Sequence, residues 1–263
     1  MTTKKMRRFE GKVALVTGGA TGVGYATASR LASEGAQVVI TGRRADVGEQ
    51  AARELCGQGL AVEFIAGDVA DEQSVRSAVE HIDRTYGRLD ILVNNAASFQ
   101  SMRFLGANRA EWRKVFDIIV DGTYYCTQAA AQLMVSKGIR GHIINVSSIN
   151  GQRALEESSH YNTAKGAMDQ LTRSTALELM DEGIRVNGVS LGFIETAMSV
   201  VDGVVEHETD WFKSIYVGRG KIAQRRQGQP EEAAGVIAFL ASEDASYICG
   251  AIIPVDGGLS ITF

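Results

Sequence analysis

Val13-Ala14-Leu15-Val16-Thr17-Gly18-Gly19-Ala20-Thr21-Gly22-Val23-Gly24 is the stretch that decides the fold of this chain. The first five residues are apolar or β-branched and read as a strand buried on both faces. They run without a linker into a glycine-rich turn, and the residues after Gly24 read as a helix. Glycines at such a turn let the backbone approach an anionic phosphate at the positive end of the helix. Tight packing of helix on strand would call for the same glycines, so the turn alone does not establish a ligand.

Outward from this stretch, short apolar runs alternate with longer amphipathic ones. Residues 13–17, 37–41, 61–66, 89–93, 142–146, 185–190 and 249–255 read as seven strands, each apolar nearly throughout. Between them, Val75, Ala78, Val79, Ile82 and Tyr86 fall at helical spacing behind Asp71, which is placed to cap. Segments 111–137 and 161–180 are long enough for helices of five turns or more. Repeated strand–helix–strand units with right-handed crossovers predict one doubly wound α/β domain, 1–263, with a parallel seven-stranded sheet. Segment 195–229, after the sixth strand, is too long for a plain connection, and its Trp211, Phe212 and Tyr216 predict a folded lid over apolar surface.

The bulk numbers agree with an ordinary globular protein: 263 residues, 45% hydrophobic and 22% charged, with 29 glycines and only 2 prolines. A net charge of −4 and the lack of a long basic block argue against a nucleic-acid or other polyanionic partner. The short basic run at 4–8 reads as a solvated tail. Cys56, Cys126 and Cys249 fit neither metal spacing nor a disulfide ladder, so buried free thiols, no metal and a reducing compartment are expected. No apolar run approaches the roughly 18 residues of a membrane span, and no signal peptide is evident. The expectation is a cytoplasmic protein with no membrane partner.

At the end of the second strand, where a carboxylate would bind a ribose 2′-hydroxyl, the chain has Gly42, Arg43 and Arg44. A guanidinium grips a phosphate in bidentate fashion, which favours NADP(H), although the missing carboxylate permits NAD(H) as well. Tyr161 and Lys165 stand at i and i+4, on one helical face. A phenol with an unperturbed pKa near 10 needs a neighbouring cation to do acid–base work at neutral pH. Ser148, thirteen residues upstream of Tyr161, closes the fifth strand at the carboxyl edge of the sheet, where open α/β sheets bind ligands. Its hydroxyl can hydrogen-bond an oxygen on which charge develops.

These residues together resemble the short-chain dehydrogenase/reductase family, in its subgroup of about this length, from Gly11 through Gly258. The resemblance implies a Rossmann-type domain and hydride transfer between a nicotinamide and a carbonyl or alcohol carbon of a small molecule. Gly18, Thr21, Gly22, Val23 and Gly24 match the family's cofactor turn. Asp68 and Val69 match its adenine-contacting pair, and Asn95 and Ala96, after Asn94, its bracing segment beside the ribose. Ser148, Tyr161 and Lys165 match its catalytic serine, tyrosine and lysine. The resemblance further implies that Lys165 bonds the nicotinamide ribose, that Ile194 and Thr196 meet the carboxamide, and that homotetramers (or homodimers) form through the two long helices. Asp256-Gly257-Gly258 is a further mark of the family.

Three positions depart from the family pattern. Ile119 stands where an asparagine usually holds a relay water; Asp117 and Asp121, some 200° around the helix, are not substitutes. The backbone carbonyl can still hold that water, so slowed relay is expected; a tenfold handicap is only about 1.4 kcal/mol of barrier. Ala97 replaces a glycine, and Leu191 replaces a proline beside the nicotinamide site. The alternative these departures suggest is a cofactor-binding subunit or sensor with little chemistry of its own.

By position, the substrate wall should draw on 98–101, 150–152, 154–158 and 191–193, Phe99, Asn150, Leu155, Leu191 and Phe193 among them, and on Trp211 and Tyr216 of the lid, with Glu156 and Glu157 near the entrance. Four lid cations, Arg219, Lys221, Arg225 and Arg226, would suit an acyl-carrier partner, although such runs are usually solvated.

Overall fold

In the computed structural model, which describes residues 7–201 and 204–262, the quoted stretch forms β1 (Val13–Thr17), buried throughout, and α1 (Gly22–Ser33). The alternation then continues through β2 (Gln37–Gly42), α2 (Ala45–Gly57), β3 (Val62–Ala66), α3 (Glu72–Tyr86) and β4 (Ile91–Asn94). Asp71 caps α3, its carboxylate accepting from the Gln73 N–H at 3.0 Å.

The single long helix expected over 111–137 is instead two. α4 (Arg109–Phe116) and α5 (Gly122–Ser136) are joined by a wider π-helical turn over Asp117–Asp121, a departure that proteins place at functional sites. Then follow β5 (His142–Ser148), α6 (Ser159–Glu178) and β6 (Arg185–Leu191). After β6 come a small antiparallel pair, β7 (Val200–Val201) and β8 (Val204–Val205), and a short α7 (Asp210–Phe212) that runs into a second π turn. The chain closes through α8 (Pro230–Leu240) and β9 (Ile252–Val255).

The main sheet has the order β3-β2-β1-β4-β5-β6-β9, and every pairing in it is parallel. One apolar core lies on the α1 and α8 side, where Leu31 and Ile237 are fully buried, and a second on the α3 and α5 side, around Ile82 and Met134. Strand order reverses at β1, between β2 and β4, which opens a crevice beyond the carboxyl ends of these strands. A buried polar chain stiffens the adjoining strands. Asn94 Nδ2 donates to Thr127 Oγ1 at 3.0 Å and to Asn145 Oδ1 at 2.9 Å, and Asn145 Nδ2 donates to Thr172 Oγ1 at 2.8 Å. Fully satisfied networks of this kind rigidify the elements they join.

Two minor expectations change. Only Cys126 is buried; Cys56 and Cys249 are exposed. Within the basic run, Arg8 is tied into the fold, its Nε donating to Glu34 at 2.6 Å, while Lys4 and Lys5 lie outside the described residues.

Candidate active site

The crevice is a cavity of about 1120 Å³ that runs from the glycine turn to the segment after β6. It exceeds the roughly 300–1,000 Å³ of an ordinary ligand pocket, room for a cofactor and a substrate together.

At one end the turn is locked by Thr17 and Asn95. Thr17 Oγ1 accepts from the Asn95 and Ala96 N–H groups at 3.0 and 3.1 Å, and Asn95 Nδ2 donates to the Thr17 and Gly18 carbonyls at 3.0 and 3.1 Å. Gly18 and Gly22 have φ of +62° and +53°, the left-handed region that glycine enters without strain. Thr21, at the N-cap of α1, makes no side-chain cap, and the first turn of that helix has no acidic residue. Its opening N–H groups therefore face the cavity with a positive end that suits a pyrophosphate. Gly24, expected to contact the cofactor, does not line the cavity. It packs beneath the turn, where an added Cβ would lie 2.3 Å from the Gly18 carbonyl oxygen.

Farther along, Arg43, Arg44, Asp68 and Val69, the residues expected at the adenosine end of the cofactor, line the cavity together. Arg43 Nη1 stands 4.0 Å from Asp68 Oδ2, an exposed pairing worth little on its own. A nicotinamide dinucleotide fits this half: an uncapped helix start for the pyrophosphate, and two guanidiniums and a carboxylate beyond it. Ala96, Ile194 and Thr196 line the middle.

Ser148, Tyr161 and Lys165 meet at the centre. Ser148 ends β5 in register with Leu191; its Oγ accepts from the Asn150 N–H at 3.2 Å and lies close enough to the Tyr161 phenol to favour the phenolate. The Tyr161 ring is held edge-on by Phe99, centroids 5.4 Å apart. Lys165 is 2% exposed; its ammonium donates to the Val146 carbonyl at 2.7 Å and lies 5.6 Å from the centroid of the Tyr161 ring. Burial pushes the Tyr161 phenol up to about 12, against the neighbouring Ser148 hydroxyl, which favours the phenolate. Burial also pushes Lys165 down to about 8, with the Asp169 carboxylate opposing it. A positive charge at the phenol, such as an oxidised nicotinamide ring carries, draws the phenol back toward neutral pH.

Of the expected substrate wall, Phe99, Asn150, Leu155, Leu191, Phe193 and Tyr216 line the cavity, with Ser98 and Ala154. Trp211 does not: it is 57% exposed and rests edge-on against the far side of Tyr216, because the first turn of α7 buries its neighbour Phe212 instead. Phe212, Tyr216, Ile222 and Leu259 form a small apolar core of their own, so the segment is folded as expected. Glu157 is not at the cavity; it pairs with Arg103 at 2.8 Å. Among the four lid cations only Lys221 lines the cavity. Arg225 donates to the Val217 and Gly218 carbonyls and Arg226 pairs with Glu232 at 2.7 Å.

Ile119 is fully buried among Val115, Ile118, Ala164 and Met168, and its carbonyl accepts from Thr123 Oγ1 at 2.6 Å. The backbone acceptor expected to hold a relay water is thus shared with a hydroxyl. Ile119→Asn should therefore leave turnover unchanged or higher while lowering stability by about 2–4 kcal/mol, through lost packing and a buried amide. Thermal denaturation beside steady-state kinetics checks both; a large loss of turnover would show that Ile119 shapes the pocket.

Two residues escaped sequence reasoning. Asp169, 2% exposed, accepts from Ser147 Oγ and lies one turn beyond Lys165; its i+4 spacing from Lys165 is a signal that could have found it. His207 lines the cavity from the segment after β6, and nothing in its local sequence marks it.

The glycine turn, the polar triad and the elongated cavity together define a nicotinamide-dependent oxidoreductase. A family model described as Enoyl-(Acyl carrier protein) reductase matches residues 18–260. The 3-oxoacyl-[acyl-carrier-protein] reductase of Thermotoga maritima is 35% identical over 97% of this chain and 100% of its own. A short-chain type dehydrogenase/reductase from Mycobacterium marinum superposes with a TM-score of 0.89 at 34% identity, covering 97% of this chain and 98% of its own. A gluconate 5-dehydrogenase from Burkholderia cenocepacia, solved with NADP and tartrate, superposes with a TM-score of 0.91 at 30% identity, covering 98% and 99%. This chain belongs to the short-chain dehydrogenase/reductase family and is an NAD(P)-dependent oxidoreductase. The comparisons give the sensor alternative no support. No helix among the described residues is long and apolar enough to cross a membrane.

Proposed function

We propose that the chain is an NADP(H)-preferring ketoreductase or alcohol dehydrogenase in which Tyr161 is the general acid and base. The observation that carries this reading is the convergence of the Ser148 hydroxyl, the Tyr161 phenol and the buried Lys165 ammonium on the cavity that begins at the glycine turn. The cofactor supplies the hydride. In reduction, Tyr161 gives its proton to the substrate oxygen and becomes a phenolate; in oxidation the proton moves back. Ser148 donates to the same oxygen as charge gathers on it. Lys165, held by the Val146 carbonyl, favours the phenolate and would bond the ribose of a bound cofactor. Ile194 and Thr196 would hold the carboxamide, and Asn95 keeps Ala96 and the turn in place.

NADP(H) preference is assigned to Arg43 and Arg44, whose guanidiniums suit a 2′-phosphate; NAD(H) remains the second cofactor. Replacing both by alanine should raise the KM for NADPH by about tenfold or more, the loss of one to two charge-assisted bonds, and change that for NADH little. Steady-state rates with both cofactors, across a panel of ketones and aldehydes, check this and the reaction class at once. Equal effects on NADPH and NADH would remove the arginines from 2′-phosphate recognition, and no carbonyl turnover with tight NADPH binding would overturn the enzyme reading.

A homotetramer, or a homodimer, built through α5 and α6 is proposed because these helices leave Tyr124, Val135 and Leu177 exposed on a soluble fold. The free cysteines suit a cytoplasmic setting.

A further inference from the structure

Lys165 and Asp169 stand at i and i+4 on the buried face of α6, each 2% exposed. The partners of the Lys165 ammonium are all neutral: the Val146 carbonyl at 2.7 Å, the Met168 sulfur at 3.8 Å and, 5.6 Å away, the centroid of the Tyr161 ring. Asp169 is bonded through one oxygen. Its Oδ1 accepts from Ser147 Oγ, while Oδ2 has no hydrogen-bond partner among the described residues. The carboxyl group fits because residue 151 is a glycine, where an added Cβ would lie 2.5 Å from Oδ2. A carboxylate and an ammonium are thus enclosed one turn apart on a single helical face, with no hydrogen bond between them.

A buried charge is costly unless an opposite one compensates it. Burial drives Lys165 toward its neutral form, and the Asp169 carboxylate is the charge that opposes this. The charges that act on Asp169 in return are Lys165 and Arg173, the latter one turn farther along the helix. On the other elements packed against α6, the ionisable groups are engaged elsewhere or exposed. β5 presents the neutral Ser147 and Ser148, with His142 at its opposite end, and the turn Ile149–Gly151 has no ionisable side chain. On α4 and the π turn, Arg113 pairs with Asp117 and Asp121, Lys114 pairs with Glu111, and Arg109 is exposed. Arg185 of β6 donates to the Ala245 and Ser242 carbonyls.

We infer that Asp169 is a positioning residue for the reaction: its buried carboxylate keeps Lys165 an ammonium in the working pH range, and Lys165 in turn keeps the Tyr161 phenolate within reach. This rests on the reading of Tyr161 as general acid and base and adds the group that stands behind it. Asp169 does not line the cavity, so it acts through Lys165 and not on substrate or cofactor.

The sign of the effect follows from charge. Without the carboxylate, Lys165 loses its proton at lower pH, and without the cation the Tyr161 phenolate forms only at higher pH. The test follows NADP+-dependent oxidation of 2-butanol, cyclohexanol and 1-phenylethanol against pH; the phenolate is the active form, so kcat rises along an acid limb. Asp169→Asn keeps the shape and an oxygen for Ser147. It should move that limb up by about half a unit to one unit, so that kcat at a fixed pH below the limb falls about three- to tenfold, with little change in the KM for the alcohol. Asp169→Leu has a similar shape and leaves no buried polar atom, and it gives the same readout if the asparagine variant does not fold. Ser147→Ala removes the tether and keeps the charge, so its limb should stay within about 0.2 unit of that of the unaltered enzyme. A limb that stays in place or moves down in the Asp169 variants would overturn the inference. An equal upward shift in Ser147→Ala would overturn it too, by assigning the effect to the shape of β5 and not to charge. If the unaltered enzyme binds NADPH but turns over no alcohol or ketone, the reading of Tyr161 beneath it falls instead.

Discussion

Tyr161→Phe is expected to lower kcat by about 10³-fold, or about 4 kcal/mol of barrier, while NADPH binds as in the unaltered enzyme. The substitution removes one oxygen and keeps the ring that packs edge-on against Phe99. Lys165 keeps its bond to the Val146 carbonyl, and the glycine turn lies elsewhere in the cavity, braced by Thr17 and Asn95. What disappears is the hydroxyl that lies near Ser148, on the ring 5.6 Å from the ammonium. Single-turnover kinetics with prebound NADPH isolate the chemical step, and fluorescence titration reports binding. A variant that turns over at the original rate would remove Tyr161 from the proton transfer and leave the proposed mechanism without its acid.

Gly24→Ala should be the most damaging single methyl in the cofactor half. An added Cβ would stand 2.3 Å from the Gly18 carbonyl oxygen and 2.5 Å from Asn95 Nδ2, so either the turn or its brace has to move. The atom it meets first is backbone, which cannot swing aside as a flexible side chain does. Overpacking of this kind costs about 1–3 kcal/mol, roughly 2–12 °C in Tm for a chain of this size. Displacing the turn also misaligns the N–H groups at the start of α1, so NADPH affinity should fall by about tenfold or more. Calorimetry and a binding titration measure the two losses separately. A stable variant with intact affinity would show that α1 can shift outward without cost.

The same residue shows where sequence reasoning reaches and where it stops. Its glycine spacing identified the turn, because a strand that ends in glycines before a helix is a local pattern. Whether Gly24 touches ligand or packs beneath it depends on where Gly18 and Asn95 sit, and the bracing asparagine is 71 residues away. The seven strands, the Asp71 cap and the shared face of Tyr161 and Lys165 were legible for the same local reason: continuous apolar runs mark strands covered on both faces, a carboxylate ahead of a helix marks a cap, and a 3.6-residue period puts i and i+4 on one face. The break at Asp117–Asp121 was not, since a π turn differs from an α turn by one residue in spacing and leaves the apolar pattern nearly intact.

The segment after β6 was legible as folded, through its aromatics, but not in its orientation. Trp211 and Phe212 are adjacent and chemically alike, yet one is 57% exposed and the other 1%. Arg225 and Arg226 read as free cations until the fold brought the carbonyls of Val217 and Gly218 and the carboxylate of Glu232 against them.

The chain's order of strands and helices, its glycine turn and the shared face of Tyr161 and Lys165 were written in the sequence alone, because each arises from neighbours within one or two turns or one strand. Which side chains face the cavity, how Arg226 meets Glu232 and how His207 comes to be boxed by Phe193 and Phe212 were decided only by tertiary structure. Burial and long-range pairing depend on segments that meet in space across many residues, and no local period encodes that meeting.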